Sequence, residues 1–249
     1  MPLLRDPHDL EPNLGGPDPR LVAALRPLLD ALMRYHDYRV EGLEHVPRSG
    51  PALVAVNHSL ATYDGFLFGV ALGDATGRYP ASLGDDLIFR VPGLRRLGRA
   101  MGIAPGRHRN GEALLARGHL VALAPGGMRE GLRPSAERYR VRWARRKGFA
   151  RLAIRAGCPL LIAGCRGADD LYTVYETPLT KLAYRYFKLP IPLIRGLGPT
   201  LLPRPVPLVH RIAPPLIPPP LDPARFEEQV GELHARAVTV MAGLLAEAG

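Results

Sequence analysis

The chain has 249 residues, enough for one large domain, and a hydrophobic content of 47% that supplies a buried core. Its formal net charge is +10, and arginine provides 30 of the 33 basic residues. That excess calls for an anionic partner: phosphate groups, a membrane surface or nucleic acid. An aromatic content of 6% and the absence of a nucleic-acid motif argue against the last. Cys158 and Cys165 match no metal or redox spacing and read as reduced core thiols. Residues 1–16 contain no apolar run of the secretory type. The most apolar long stretch, residues 189–209, is broken by Arg195, Arg204 and six prolines, so it cannot span a bilayer as a helix. The expectation is a cytoplasmic chain, peripheral to the membrane.

In chain order, residues 1–17 are rich in Pro and Gly and read as an irregular leader. Asp18-Pro19 forms an N-cap and first-turn pair for an N-terminal helix within residues 18–40, with Leu21, Leu25, Leu28, Leu32 and Tyr35 at helical spacing and a kink at Pro27. Residues 41–249 read as the main domain. Within it, strands are expected at 52–56, 79–83, 120–124 and 160–163, alternating with helices at 65–72, 94–101, 111–116 and 149–156. Gly102, Gly118 and Gly157 stand where glycines end helices. This alternation predicts an α/β fold with a mixed, mostly parallel central sheet flanked by helices. Residues 190–223 hold 12 of the 27 prolines and read as a long ordered loop with short strands. Asp222-Pro223 then opens a last helix, with Phe226, Val230, Leu233, Ala237, Val240 and Leu244 as its buried stripe.

The chemistry concentrates after the first strand. The apolar run 52–56 stops at Asn57-His58, and Asp64 follows. In open α/β sheets, sites gather at the carboxyl ends of strands. A histidine there takes a proton near neutral pH, and a carboxylate can fix its orientation and stabilise the imidazolium. Ser59 is a formal alternative nucleophile, poorly placed to share a proton with its own neighbour. No Gly-x-Ser-x-Gly elbow exists. Three further clusters fall where this fold brings loops towards His58. Residues 102–110 carry Arg107, the glycine-rich run 124–131 carries Gly126, Gly127, Arg129 and Glu130, and the basic run 142–147 precedes a helix. Backbone N–H groups of the Gly126-Gly127 turn are candidates for holding an oxyanion, and Arg107 and Arg129 for holding anionic groups.

Taken together, these blocks resemble the glycerolipid acyltransferases, which include the 1-acylglycerol-3-phosphate acyltransferases. Asn57-His58 through Asp64 resembles the first block of that family, residues 102–107 the second, 125–129 the third and 157–162 the fourth. The resemblance covers about residues 43–217. It implies a catalytic pair, His58 and Asp64, and substrate contacts from Arg107, Gly126, Gly127, Arg129 and Glu130. The implied reaction moves a fatty acyl group from an acyl thioester, on coenzyme A or acyl carrier protein, to a lipid hydroxyl, with no metal and no further cofactor. Two departures stand out. Histidine and aspartate are separated by five residues where four are usual, and Gly126 stands where the third block usually has glutamate, an acid appearing instead at Glu130. Both are closer to the diacylglycerol and monoacylglycerol acyltransferase-like branch, which makes a neutral acceptor as plausible as a lysophosphatidate. The expected partners are the thioester donor, the lipid acceptor and an anionic membrane surface, reached through residues 189–209 or the N-terminal helix. A non-catalytic lipid-binding protein of the same fold is the alternative.

Overall fold

The computed structural model describes residues 15–175 and 193–246. Most of the expected irregular leader and residues 189–192 of the Pro-rich segment lie outside the described residues. Seven strands form the main sheet: β1 (Arg39–Glu41), β2 (Ala52–Val56), β3 (Ala81–Gly84), β4 (Ile103–Pro105), β5 (Leu120–Leu123), β6 (Leu160–Cys165) and β9 (Val209–Ile212). A separate antiparallel ribbon pairs β7 (Thr173–Tyr175) with β8 (Leu193–Arg195). The main sheet runs β1-β9-β6-β2-β5-β3-β4. Strands β6, β2, β5, β3 and β4 are mutually parallel, and β9 runs antiparallel to β6. The sheet is therefore mixed and mostly parallel, as the alternation of elements predicts.

Strand β2 sits between β5 and β6, with Ala55 in register with Leu123 on one side and Ile162 on the other. Covered on both faces, it reads as a continuous apolar run, as central parallel strands do. Leu53 and Ala55 face one layer, built from α5 (His108–Ala116), α7 (Gly148–Ala156) and the final helix α8 (Phe226–Ala246). Ala52 and Val54 face the other, where Phe68 and Leu72 of α2 (Tyr63–Thr76) pack. Helix α1 (Pro19–Tyr35) packs on α2 through Val22 and Leu29.

Several expectations shift in detail. The buried stripe of α1 is centred on Val22 and Leu29, while Leu28 and Tyr35 are exposed. Asp18 caps α1 as expected, its Oδ1 accepting from Arg20 N at 2.8 Å. The helix ends at Tyr35, and residues 39–41 already pair with β9, so the main sheet begins before residue 41. In α8 the stripe drifts from Val240 and Leu244 to Met241 and Leu245, because a straight helix turns 3.6 residues at a time. That helix starts at Phe226, after a turn in which Asp222 Oδ1 accepts from Ala224 N at 2.9 Å. The loop expected at 102–110 contains β4, a three-residue edge strand too short to leave a periodic signal, ending in a proline that an edge tolerates. Two short helices, α3 (Asp86–Arg90) and α6 (Gly127–Gly131), also lack such a signal, and α4 (Pro92–Ala100) follows α3 directly.

Candidate active site

The carboxyl ends of β2, β3, β4 and β5 open on one edge, as parallel strands must. Asn57 closes β2. Its side-chain amide continues the ladder to β6: Nδ2 donates to Cys165 O at 3.0 Å and Oδ1 accepts from Cys165 N at 2.8 Å. The chain is thus locked one residue before His58, at the point where a backbone ladder would otherwise fray.

His58 Nδ1 lies 2.8 Å from the carbonyl oxygen of Ser59. A carbonyl only accepts, so Nδ1 carries the proton and Nε2 is the basic nitrogen. Asp64, in the first turn of α2 and only 3% exposed, accepts from Ser59 Oγ at 2.9 Å. The expected contact between His58 and Asp64 is therefore mediated by Ser59, which offers its carbonyl to the imidazole and its hydroxyl to the carboxylate. That hydroxyl proton is committed to Asp64, and Ser59 is a bridge in the structure. Burial raises the Asp64 carboxyl above its ordinary value, against the lowering effects of the Ser59 hydrogen bond and the nearby His58. Between His58 and Asp64 the backbone turns at Thr62, with φ at 60°, and Tyr63 N donates to Ala61 O at 2.6 Å. This tight left-handed turn fits five residues into the interval.

Glu130 overturns its expected role in substrate contact. It is fully buried. One oxygen, Oε2, accepts from His58 N at 3.1 Å and from Trp143 Nε1 at 3.3 Å, and Oε1 accepts from Arg142 N at 3.1 Å. Arg133 Nη1 lies 3.7 Å from Oε1. Burial raises the Glu130 carboxyl, opposed by the Arg142 N–H, the Arg133 charge and the His58 and Trp143 donors. With its oxygens occupied and no exposed surface, Glu130 holds the backbone of His58. Gly126 has an αR backbone, and its requirement is spatial: a Cβ there would overlap the Glu130 carboxylate. Gly127 takes φ at 51°, and its N–H donates to Ala124 O at 3.1 Å, so that N–H closes the turn and is not free for an oxyanion.

Sequence reasoning missed four contributors. Arg133 and Asp169 form a nearly buried ion pair, with both Asp169 oxygens on Arg133 Nη2, and Asp169 Oδ2 also accepts from Tyr139 N at 2.8 Å. Arg133 Nη1 further donates to Glu130 O at 3.3 Å, beneath the His58 loop. Gly131 lies against the imidazole, where a Cβ would stand 3.0 Å from Nδ1. Trp143, inside the basic run 142–147, is fully buried rather than part of a solvated face. Its apolar bulk amid arginines was the available signal.

A cleft of about 400 Å³ runs from His58, Ser59 and Asp64 between α2 and the β3–α3 turn towards Pro17 and Met101. Its walls are mostly apolar, with Phe66, Phe68, Leu83, Ile88, Ile103 and Met128 prominent. Gly65 and Gly69 of α2 also line it, one helical turn apart, and a Cβ at Gly65 would meet nothing within 4 Å. Among the described residues lining the cleft none is Lys or Arg. Arg107 pairs with Asp86 at 2.9 Å, its side chain 42% exposed, and Arg129 is exposed on α6. The expected placement of both guanidinium groups on the site's wall is not what the structure shows. Short elements carry them outward: α6 turns Glu130 in and Arg129 out.

An imidazole with Nδ1 tied down and Nε2 left as its proton acceptor thus stands at the carboxyl edge of a mostly parallel sheet, beside a mostly apolar cleft. The family model described as Acyltransferase matches residues 37–165, and the chain belongs to that family. The bovine "DGAT1/2-independent enzyme synthesizing storage lipids" is 31% identical over 169 residues, 68% of this chain and 50% of that protein. Its human counterpart is 31% identical over 68% of this chain and 52% of its own length. An uncharacterised protein of Mycobacterium tuberculosis is 33% identical over 187 residues, 70% of this chain and 50% of its own. The chain thus spans about half the length of these curated relatives. The crystal structure of the 1-acyl-sn-glycerophosphate (LPA) acyltransferase PlsC from Thermotoga maritima superposes with a TM-score of 0.53 at 17% identity, covering 91% of this chain and 83% of that one, which is a likeness of fold. No helix among the described residues is long and apolar enough to cross a membrane.

Proposed function

We propose that this chain transfers a fatty acyl group from an acyl thioester to the hydroxyl of a lipid, with His58 as general base. The observation that carries the reading is the cleft itself. His58, with Nδ1 tied to Ser59 O, sits on the wall of an apolar cavity of about 400 Å³. A lipid alcohol is a poor nucleophile at neutral pH. His58 Nε2 takes the hydroxyl proton as the oxygen attacks the thioester carbon. The tetrahedral intermediate collapses, the carbon–sulfur bond breaks, and the imidazolium returns its proton to the departing sulfur. Asp64, through Ser59, favours the transient imidazolium electrostatically. The apolar walls receive the acyl chain, and the donor carrier, coenzyme A or acyl carrier protein, stays outside.

The acceptor is a neutral glyceride-type alcohol in this reading. A lysophosphatidate phosphate drawn into the cleft would find no Lys or Arg among the described residues of its walls, and an unpaired buried charge is costly. The mammalian relatives, enzymes synthesizing storage lipids, support this reading. Long-chain acceptor lipids are poorly soluble in water and reside in membranes, so in this reading the chain works at a membrane surface. The test is incubation with acyl-CoA or acyl-carrier-protein thioester and a panel of mono- and diglycerides, lysophosphatidate and other lysophospholipids, with products resolved by mass spectrometry. Acylation of neutral glycerides above lysophosphatidate supports the reading. Exclusive acylation of lysophosphatidate overturns the acceptor, and lipid binding with no product from any pair leaves a non-catalytic lipid-binding protein.

A further inference from the structure

Helices α3 and α4 form a finger beside the cleft with an unusual surface. Leu87, Val91, Leu94 and Leu97 are 43%, 46%, 48% and 48% exposed within eleven consecutive positions. Arg90, Arg95, Arg96 and Arg99 are interleaved with them, and residues 87–100 contain no Asp or Glu. The nearest acids are engaged: Asp85 caps α3 by accepting from Leu87 N at 2.9 Å, and Asp86 pairs with Arg107. The finger is anchored from within. Phe89 is buried, and Gly98 is buried so closely on α3 that a Cβ would stand 2.8 Å from Ile88 Cγ2. The leucines outside are therefore not a poorly packed core. Leu87 is both exposed and part of the cleft wall, and Ile88 lines the cleft beside it. Leu87 and Ile88 thus connect the outside of the finger with the cleft that His58 lines.

We propose that the α3–α4 finger is the membrane anchor of this chain, seating Leu94 and Leu97 in the interface of an anionic bilayer and passing lipid into the cleft along Leu87. Apolar side chains among arginines suit that interface, where the leucines bury their surface and the guanidinium groups meet phosphates. A second copy of the chain is a poor occupant, because two such fingers face to face would bring like charges together. The sequence-based candidates lack this continuity with the site: α1, where Arg26 is paired with Asp74 at 2.7 Å, contributes no residue to the cleft wall, and neither do the exposed Leu193, Leu197, Leu201 and Leu202. The delivery of lipid rests on the acyl-transfer reading; the anchoring does not.

The test uses the full chain with vesicles of phosphatidylcholine alone or mixed with phosphatidylglycerol, by flotation at low and high salt. Wild type is expected to float with the mixed vesicles and more weakly with neutral ones. Leu94→Asp/Leu97→Asp should lower binding about a hundredfold or more. Arg96→Glu should lower it about tenfold or more, whereas Arg236→Glu, on exposed α8 surface, changes net charge equally and should have little effect. A fluorophore on Leu94→Cys reports insertion, since Cys158 and Cys165 are buried and unlabelled. Turnover of a short-chain thioester with a water-soluble glyceride should stay within about twofold of wild type in all these variants, because none of the residues lines the cleft. Wild-type vesicle binding by the double leucine variant, or equal losses from Arg96→Glu and Arg236→Glu, overturns the anchor. That result with turnover intact leaves the acyl-transfer reading standing. Vesicle binding that needs the finger, in a protein without turnover, retains the anchor and removes the enzyme.

Discussion

Glu130→Gln isolates the buried carboxylate that holds His58. The glutamate offers two acceptor oxygens to three N–H donors, His58 N, Trp143 Nε1 and Arg142 N, with the Arg133 guanidinium alongside. Every neighbour is a donor. A glutamine keeps the shape but must point its NH2 at one of them, so at least one hydrogen bond becomes a donor–donor contact. Hydrogen bonds to a charged partner contribute about 1.5–3 kcal/mol, and a buried donor left unpaired costs about 1–3 kcal/mol. Removal of the charge also relieves its desolvation, which offsets part of that loss. The expected net destabilisation is about 2 kcal/mol. If the NH2 falls on the Oε2 side, His58 N loses its partner and the imidazole shifts, which lowers the transfer rate by about tenfold or more. Chemical denaturation gives the first quantity, and ester formation from a labelled thioester at saturating substrate gives the second. Wild-type stability together with a wild-type rate would refute the assignment of Glu130 as the support of His58. So would a raised KM at unchanged kcat, which is the signature of a substrate contact.

Asp64→Asn should separate rate from stability in the opposite sense. The imidazolium loses its buried counter-charge, for a rate loss of about 10–100-fold, while the melting temperature holds or rises because burial already disfavours the charged carboxylate. Gly126→Ala should destabilise by about 1–3 kcal/mol, since its methyl must displace the Glu130 carboxylate, whereas Gly65→Ala meets open space and should leave stability equal or higher while altering chain-length preference. Stability should fall with acidity. Burial holds His210 down to about 3, so the unfolded chain binds its proton first; stability is complete above about pH 6.5 and is lost as pH drops towards 3, by up to about 1.4 kcal/mol per pH unit. His210→Phe, stacking on Phe68 in its place, should flatten that slope in denaturation curves between pH 4 and 7, and an unchanged slope would contradict the assignment.

The framework and the centre of the site were legible because their signals are local. Strand β2 is an unbroken apolar run that ends on Asn57-His58, and the helices around it carry periodic apolar residues with glycines at their ends. What was illegible depends on direction or distance. Glu130 and Arg129 are adjacent on a five-residue helix, and only the packing of Trp143 and Arg142 decides that the acid points in and the base out. Arg133 meets Asp169 across 36 positions, and neither is marked locally as a buried charge. The Ser59 bridge was hidden for a different reason. The histidine and aspartate are close in sequence, but a left-handed turn at Thr62 sets which atoms meet. The arginine surplus pointed to an anionic partner, and only the fold places part of that charge among the exposed leucines of α3 and α4.

The central claim is that His58 is the base in transfer of an acyl group to a lipid hydroxyl, and the rate of thioester-dependent ester formation by purified His58→Ala tests it most directly. Imidazole removal should lower that rate by about 10²–10⁴-fold, with the melting temperature near wild type because His58 stands at a strand end outside the core. A folded His58→Ala protein that forms the ester at the wild-type rate would contradict the account.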